Sequence, residues 1–183
     1  EHKSVLIFCS SKQSVKQLTR ELKRNRINAD EIHSDLEQDK REEVLMQYKS
    51  GRLPVLVATD ILSRGIDIDN IELVINYDVP HDGEDYVHRI GRTARAAADG
   101  TAYTLISQPE QRKFLAIEKL LGYAVTKATV PAALGEVPAY NPQSSAGRSG
   151  KSRNGRHSYY YHTIFFCTLN NFFQKLVFLC RCG

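Results

Sequence analysis

Short apolar runs and amphipathic segments exchange about five times over the first ~120 residues, and this limits the chain to few folds. Residues 4–9 (SVLIFC) read as a buried strand. Behind them Val15, Leu18 and Leu22 recur at helical spacing among Lys and Arg, which predicts an amphipathic helix over residues 11–26. Residues 28–32 follow as a short strand. Asp35 with Gln38 three residues on resembles a capping box, and Val44, Leu45 and Tyr48 carry a helix until Gly51 stops it. Residues 55–58 and 73–76 are further buried strands, 85–91 a short helix and 101–106 a strand. Ser107, Pro109 and Glu110 open a last helix with Phe114, Ile117, Leu120 and Leu121 on one face and Gly122 at its end.

Apolar strands this short, separated by helices, predict an α/β domain: a mostly parallel central sheet with helices on both faces, in three layers. Function in such sheets gathers at the loops after the strands' carboxyl ends. Here those loops are residues 10–12, 33–35, 59–67 and 77–80. The domain is expected over residues 1–130. Residues 131–156 read as a linker, with three prolines up to Pro142 and then a Ser/Gly/basic run. Residues 157–183 form an aromatic and cysteine-rich tail that holds five of the seven Phe and three of the four Cys. So abrupt a change suggests frame-shifted or read-through translation rather than native sequence, and the tail is expected to be disordered.

Charge distribution sharpens the reading. The formal net charge is +4, but Gln143 onward carries 6 basic and no acidic residues, which leaves 19 basic against 21 acidic before it. Nucleic-acid binding by the main body must therefore rest on placed residues rather than bulk charge. No secretory signal is visible and the chain begins at Glu1, so a fragment in a reducing, cytoplasmic setting is expected. The apolar stretch 163–182 is interrupted by Asn170, Asn171, Gln174 and Lys175, which argues against a membrane span or membrane partner. Cys167, Cys180 and Cys182, with His157 and His162, lack a paired-cysteine zinc spacing, so no metal site is assigned.

Two strings carry chemistry. In HRIGRTAR (residues 88–95), four cations fall within eight residues, and Arg92 and Arg95 stand three apart. On a helix or its last turn this spacing places both guanidiniums on one side, where planar forks suit a polyphosphate. The competing reading is a solvated basic helix face, against which Gly91 argues for a turn or close backbone approach. In ATDILSRGID (residues 58–67), Thr, Asp, Arg, Gly and Asp leave a buried strand at the functional edge, although each alone is explained by turn chemistry. The chain has no GxxxxGK[ST] phosphate loop, and neither a GxGxxG nor a DExx string follows a strand.

Together these strings resemble the last two signature motifs of the DEAD-box ATP-dependent RNA helicases, and other segments agree in order and interval. VLIFCSSK (5–12) resembles the first motif of that family's C-terminal RecA-like domain, and Gln38 with Arg41 its QxxR motif. TDILSRGID (59–67) is similar to its fifth motif, VINYDVP (74–80) to the segment after that, and YVHRIGRTARA (86–96) to its sixth. The GRTARA form is similar to bacterial-type members. Ser63 stands where Ala is usual, and Ser34, Ala94 and Ala97 where Gly is common.

The resemblance implies roles. Arg92 and Arg95 would be arginine fingers toward ATP held mainly on an N-terminal RecA-like lobe, which would also supply the Mg²⁺ ligands. Gly65 and Asp67 would belong to the ATP site, Asp67 at the ribose. His88, Arg64 and Arg89 would serve the interlobe network. Lys12, Arg41 and Thr59, with Ser10, Ser11, Gln38 and Asp60, would hold the RNA backbone without reading bases. The implied partners are RNA and the N-terminal lobe, and this chain alone is expected to be inactive in ATP hydrolysis. Two alternatives stay open: a stand-alone RNA-binding or regulatory module without ATPase activity, and the second lobe of a DNA helicase. Arg148, Lys151, Arg153 and Arg156 suit either an RNA tether or a solvated linker.

Overall fold

The computed structural model describes residues 3–60, 68, 71–93, 101–128 and 139–143, together with the backbone of 162–168. Strand β1 (Val5–Cys9) leads to helix α1 (Lys12–Arg24), β2 (Ala29–Ile32), α2 (Gln38–Lys49), β3 (Val55–Thr59) and β4 (Leu73–Asn76). Helix α3 (Gly83–Ile90), β5 (Thr101–Ser107), a 3₁₀ turn (Gln108–Glu110), α4 (Gln111–Leu121), β6 (Thr126–Lys127) and β7 (His162–Thr168) follow. The described strands form one sheet in the order β2-β3-β1-β4-β5-β7-β6. The first five are parallel, and β7 lies antiparallel to both β5 and β6.

Successive side chains of β1 point to opposite faces of the sheet and so split the core in two. Ile7 and Cys9 pack with Val15, Leu18 and Leu22 of α1 and with Val57. Leu6 and Phe8 face the larger core, where Val44 and Tyr48 of α2, Tyr86 and Ile90 of α3, and Phe114 and Ile117 of α4 meet. This is the three-layer α/β arrangement of a RecA-like domain, with all five predicted strands and all four predicted helices in place.

Three local details differ from, or add to, the sequence reading. Helix α2 begins after Glu37, which makes no side-chain cap bond. Asp35 does not cap it, because its carboxylate accepts instead from Lys12 and Lys16 of α1. On α4, buried Glu118 accepts from the Val125 amide (2.9 Å) and the Tyr140 hydroxyl (2.7 Å). The Gln111 side chain donates to the Ala139 carbonyl and accepts from the Asn141 amide, so residues 139–141 are stapled to α4. In the tail, where disorder is expected from composition, His162–Thr168 is extended and pairs along the whole of β5, from Thr101↔Thr168 to Ser107↔His162. Gly122, at φ 76°, takes the left-handed conformation that ends α4.

Candidate functional site

Register builds the site. Cys9 lies opposite Thr59, and Phe8 opposite Asn76, so β1, β3 and β4 end together. The residues that follow them, Ser10, Asp60 and Asp78, emerge at one edge of the sheet. The Ser10 amide donates to both Asp78 carboxylate oxygens (2.9 and 2.8 Å), and the Ser10 hydroxyl donates to the same carboxylate. Asp78 was no candidate in the sequence, although it lies inside the VINYDVP segment.

Helix α3 completes this edge. Asp82 caps it by accepting from the Asp85 amide (2.8 Å). Tyr86, Arg89 and Ile90, spaced i, i+3, i+4, turn inward, and Tyr86 meets Phe114 edge-on with ring centroids 5.8 Å apart. His88 is left exposed on the outer face. Arg89 is 0% exposed. Its Nε and Nη2 form a fork onto the two Asp60 oxygens (2.5 and 2.6 Å). Its Nη1 donates to Asn76 Oδ1 (3.3 Å) and to the Asp78 carbonyl (3.2 Å), and the guanidinium stands 5.3 Å from the Phe8 ring centroid. Asn76 is held in turn by donating to Thr104 Oγ1 (3.0 Å).

Two expected roles meet this geometry. Arg89, expected in the interlobe network, is fully buried within this lobe. Asp60, expected at RNA, has both carboxylate oxygens engaged by Arg89. The pair serves inside the lobe, where it locks the end of α3 to the loops after β3 and β4.

Beyond α3 the chain turns tightly. A Cβ at Gly91 would stand 2.9 Å from the Val87 carbonyl oxygen, which explains the glycine within the basic string. The Arg92 amide donates to the Arg89 carbonyl, and the Thr93 amide and hydroxyl both donate to the Ile90 carbonyl. Arg92 is thereby placed, half-buried, two residues past α3. Arg95, Arg64, Gly65 and Asp67 lie outside the described residues.

A second group surrounds the ends of β2 and β3. Thr59 is buried, and its hydroxyl has no hydrogen-bond partner among the described residues. Arg41 reaches back along its helix, with Nη1 to Gln38 Oε1 and Nη2 to the Leu36 carbonyl (both 3.3 Å), while its buried Nε has no partner there. Ser11 caps α1 by accepting from the Ser14 amide (3.1 Å). Lys12 Nζ lies 2.9 Å from Asp35 Oδ1 and Lys16 Nζ 3.0 Å from Asp35 Oδ2. Hydrogen bonds from Lys12 first, then Lys16, hold the Asp35 carboxyl down at about 2. Cys9 is fully enclosed beside this edge, and burial, reinforced by Asp78, pushes its thiol far up, so it is no nucleophile.

Residues 1–97 match the model of the helicase conserved C-terminal domain. The ATP-dependent RNA helicase-like protein DB10 of Nicotiana sylvestris is 47% identical over 150 residues, which are 82% of this chain and 23% of that protein. The ATP-dependent RNA helicase DbpA of Bacillus subtilis is 44% identical over 128 residues, 70% of this chain and 27% of that protein. The chain thus spans about a quarter of the length of these relatives. Among solved structures, the E. coli DEAD-box protein SrmB superposes with a TM-score of 0.66 at 33% identity, covering 71% of this chain and 76% of that one. No helix among the described residues is long and apolar enough to cross a membrane. With its fold, its motif order and these likenesses together, the chain belongs to the helicase conserved C-terminal domain family, as the C-terminal RecA-like domain of a DEAD-box RNA helicase.

Proposed function

We propose that this lobe holds the RNA backbone and supplies arginine fingers to ATP bound on an N-terminal lobe, within an ATP-dependent RNA helicase. One observation carries the reading. The Arg89 fork onto Asp60, with Asn76 and the Asp78 carbonyl, fixes the end of α3 against the loops after β3 and β4. Arg92 is thus presented at the same sheet edge as Ser10 and Thr59, so RNA-facing and nucleotide-facing groups share one rigid frame.

Placed cations suit this work better than bulk charge. Lys12, Arg41 and Thr59, with Ser10, Ser11 and Gln38 beside them, meet phosphate and ribose oxygens, which positions a strand without reading its sequence. The buried Thr59 hydroxyl and Arg41 Nε, both without partners among the described residues, have hydrogen bonds still to give. ATP with Mg²⁺ supplies the phosphoryl bond, and its metal ligands belong to the N-terminal lobe. Arg92 fits a polyphosphate, since its guanidinium is always charged and its turn is pinned at the Ile90 carbonyl. With Arg95 it stabilises the charge on the transferring γ-phosphoryl once the lobes are closed, a contribution of about 10³–10⁵ in rate where such fingers operate. Gly65 and Asp67 complete the ATP contact, and His88 and Arg64 the interlobe one.

On its own the chain lacks a phosphate loop and should release no phosphate. The test has two arms. The purified 183-residue chain should show no RNA-stimulated phosphate release above an Arg95→Ala control. Joined behind the N-terminal lobe of a relative, it should hydrolyse ATP, and Arg92→Ala should cut turnover about a thousandfold. Activity in the isolated chain, or full turnover in the Arg92→Ala chimera, overturns the proposal.

A further inference from the structure

We infer that Lys12 and Lys16 form a two-cation site for an RNA phosphate, and that Asp35 occupies this site in the RNA-free lobe and competes with the phosphate for it. The inference rests on the RNA-backbone role proposed for Lys12, to which it adds Lys16 as a second contact and Asp35 as an opposing residue.

Lys12 and Lys16 stand four apart on α1, so they share a face of that helix. Each donates to a different oxygen of the same carboxylate, at 2.9 and 3.0 Å. Two ammonium groups that straddle the two-oxygen edge of one anion will accept the similar edge of a phosphodiester. The first turn of α1 carries no acidic residue, so Asp35, arriving from the end of β2, is the anion that reaches this pair among the described residues.

Stability does not explain this arrangement well. Lys12, Lys16 and Asp35 have side chains 53%, 36% and 40% exposed, and ion pairs so open to water add little to folding. Nor does Asp35 serve as a cap, since α2 starts after Glu37 with no side-chain cap bond. Yet its position is fixed. The Asp35 amide donates to Nδ1 of His33 (3.2 Å), and His33 is 2% exposed. A buried anchor thus holds an exposed carboxylate against two exposed cations.

The consequence is a damped affinity. Unopposed, the pair carries two positive charges, whereas with Asp35 it carries a net of one. A phosphate must displace the carboxylate and then sit beside it. Asp35→Asn removes the competitor and keeps the size of the side chain.

The experiment measures polarisation of a labelled single-stranded oligouridylate against the 183-residue chain over a salt series. At about 50 mM salt, D35N should tighten binding roughly fourfold, the effect of one unit charge about 5 Å away in water. Its plot of log affinity against log salt should steepen by about 0.7, one further counterion released from a single strand. K16M should weaken binding while the melting temperature holds. Unchanged or weaker binding by D35N, with K12M still weakening it, overturns the competition and leaves the RNA-backbone reading intact. Wild-type affinity in K16M overturns the two-cation site. No RNA binding by the wild-type chain, or no loss in K12M, removes the RNA-backbone reading itself. Should D35N melt early, Asp35→Ser provides the same comparison.

Discussion

Two ion-pair clusters at one sheet edge use the same chemistry to opposite ends. In the first, Arg89 is completely enclosed and shares its donors among Asp60, Asn76 and the Asp78 carbonyl. In the second, Lys12 and Lys16 meet Asp35 in open water. Desolvation decides the difference. A buried cation is tolerable only while fully partnered, so the first cluster is rigid and specifies where the end of α3 sits against the loops after β3 and β4. The exposed cluster adds little to folding, and its partners can exchange for another anion at small cost. A lobe that must keep one frame while gripping and releasing a polyanion has use for both.

The sharpest way to break this contrast is to remove Asp60. Asp60→Ala leaves the Arg89 charge buried with neutral hydrogen-bond partners and the Asp78 carboxylate 3.9 Å away, and should cost about 3 kcal/mol. For a lobe of this size that is roughly 10 °C in Tm. Combining it with Arg89→Met removes the stranded charge and should recover about half of the loss, a coupling read from a double-mutant cycle in urea. Additive losses would show that the pair is not one buried unit.

Between the extremes lies Asp78. Its side chain is 22% exposed, as is that of Asp60, but it stands 3.9 Å from Arg89 Nη1 instead of at hydrogen-bond distance and accepts from the amide and hydroxyl of Ser10, which is itself exposed. Asp78→Ala should cost about 1.5 kcal/mol, because water reaches Ser10 and replaces part of what is lost. The Asp78 carbonyl, which Arg89 uses, remains. A loss equal to that of Asp60→Ala would place Asp78 inside the buried unit rather than at its rim.

The layers of this fold were legible because periodicity is a local signal: runs such as residues 4–9, and spacings such as Val15, Leu18 and Leu22, need no knowledge of the rest of the chain. The site was legible as strings but not as pairings. Asp35 resembles a helix cap only while α1 is out of view, since its partners lie 19 and 23 residues earlier. Arg89 looks like its neighbours in a basic string. Only its spacing from Tyr86 and Ile90, i+3 and i+4 on the apolar face of α3, marks it as the arginine that turns inward. Asp60 could not be paired with it without the register of β1, β3 and β4. Strand β7 did carry a local signal, since residues 163–168 (TIFFCT) are as apolar and β-rich as residues 4–9, but the abrupt change in composition around it pointed to disorder instead.

The smallest effect belongs to Asp35, and its pH dependence gives the contrast a sign. The folded Asp35 carboxyl titrates at about 2, below its ordinary 3.8, because Lys12 and then Lys16 stabilise the charged form. A depressed carboxyl contributes stability that is fully present above the ordinary value and disappears as pH falls through the folded one. Asp35→Asn removes that contribution at neutral pH, but an ion pair whose carboxylate is 40% exposed adds little, so Tm should fall by no more than repeat scans scatter. A carboxyl-carbon NMR titration should find the Asp35 midpoint near 2, moving toward 3.8 in Lys12→Met and by a smaller step in Lys16→Met. A midpoint already at the ordinary value would mean that the lysines do not hold Asp35 in solution. A neutral-pH loss as large as that of Asp60→Ala would erase the division between a rigid frame and an exchangeable grip.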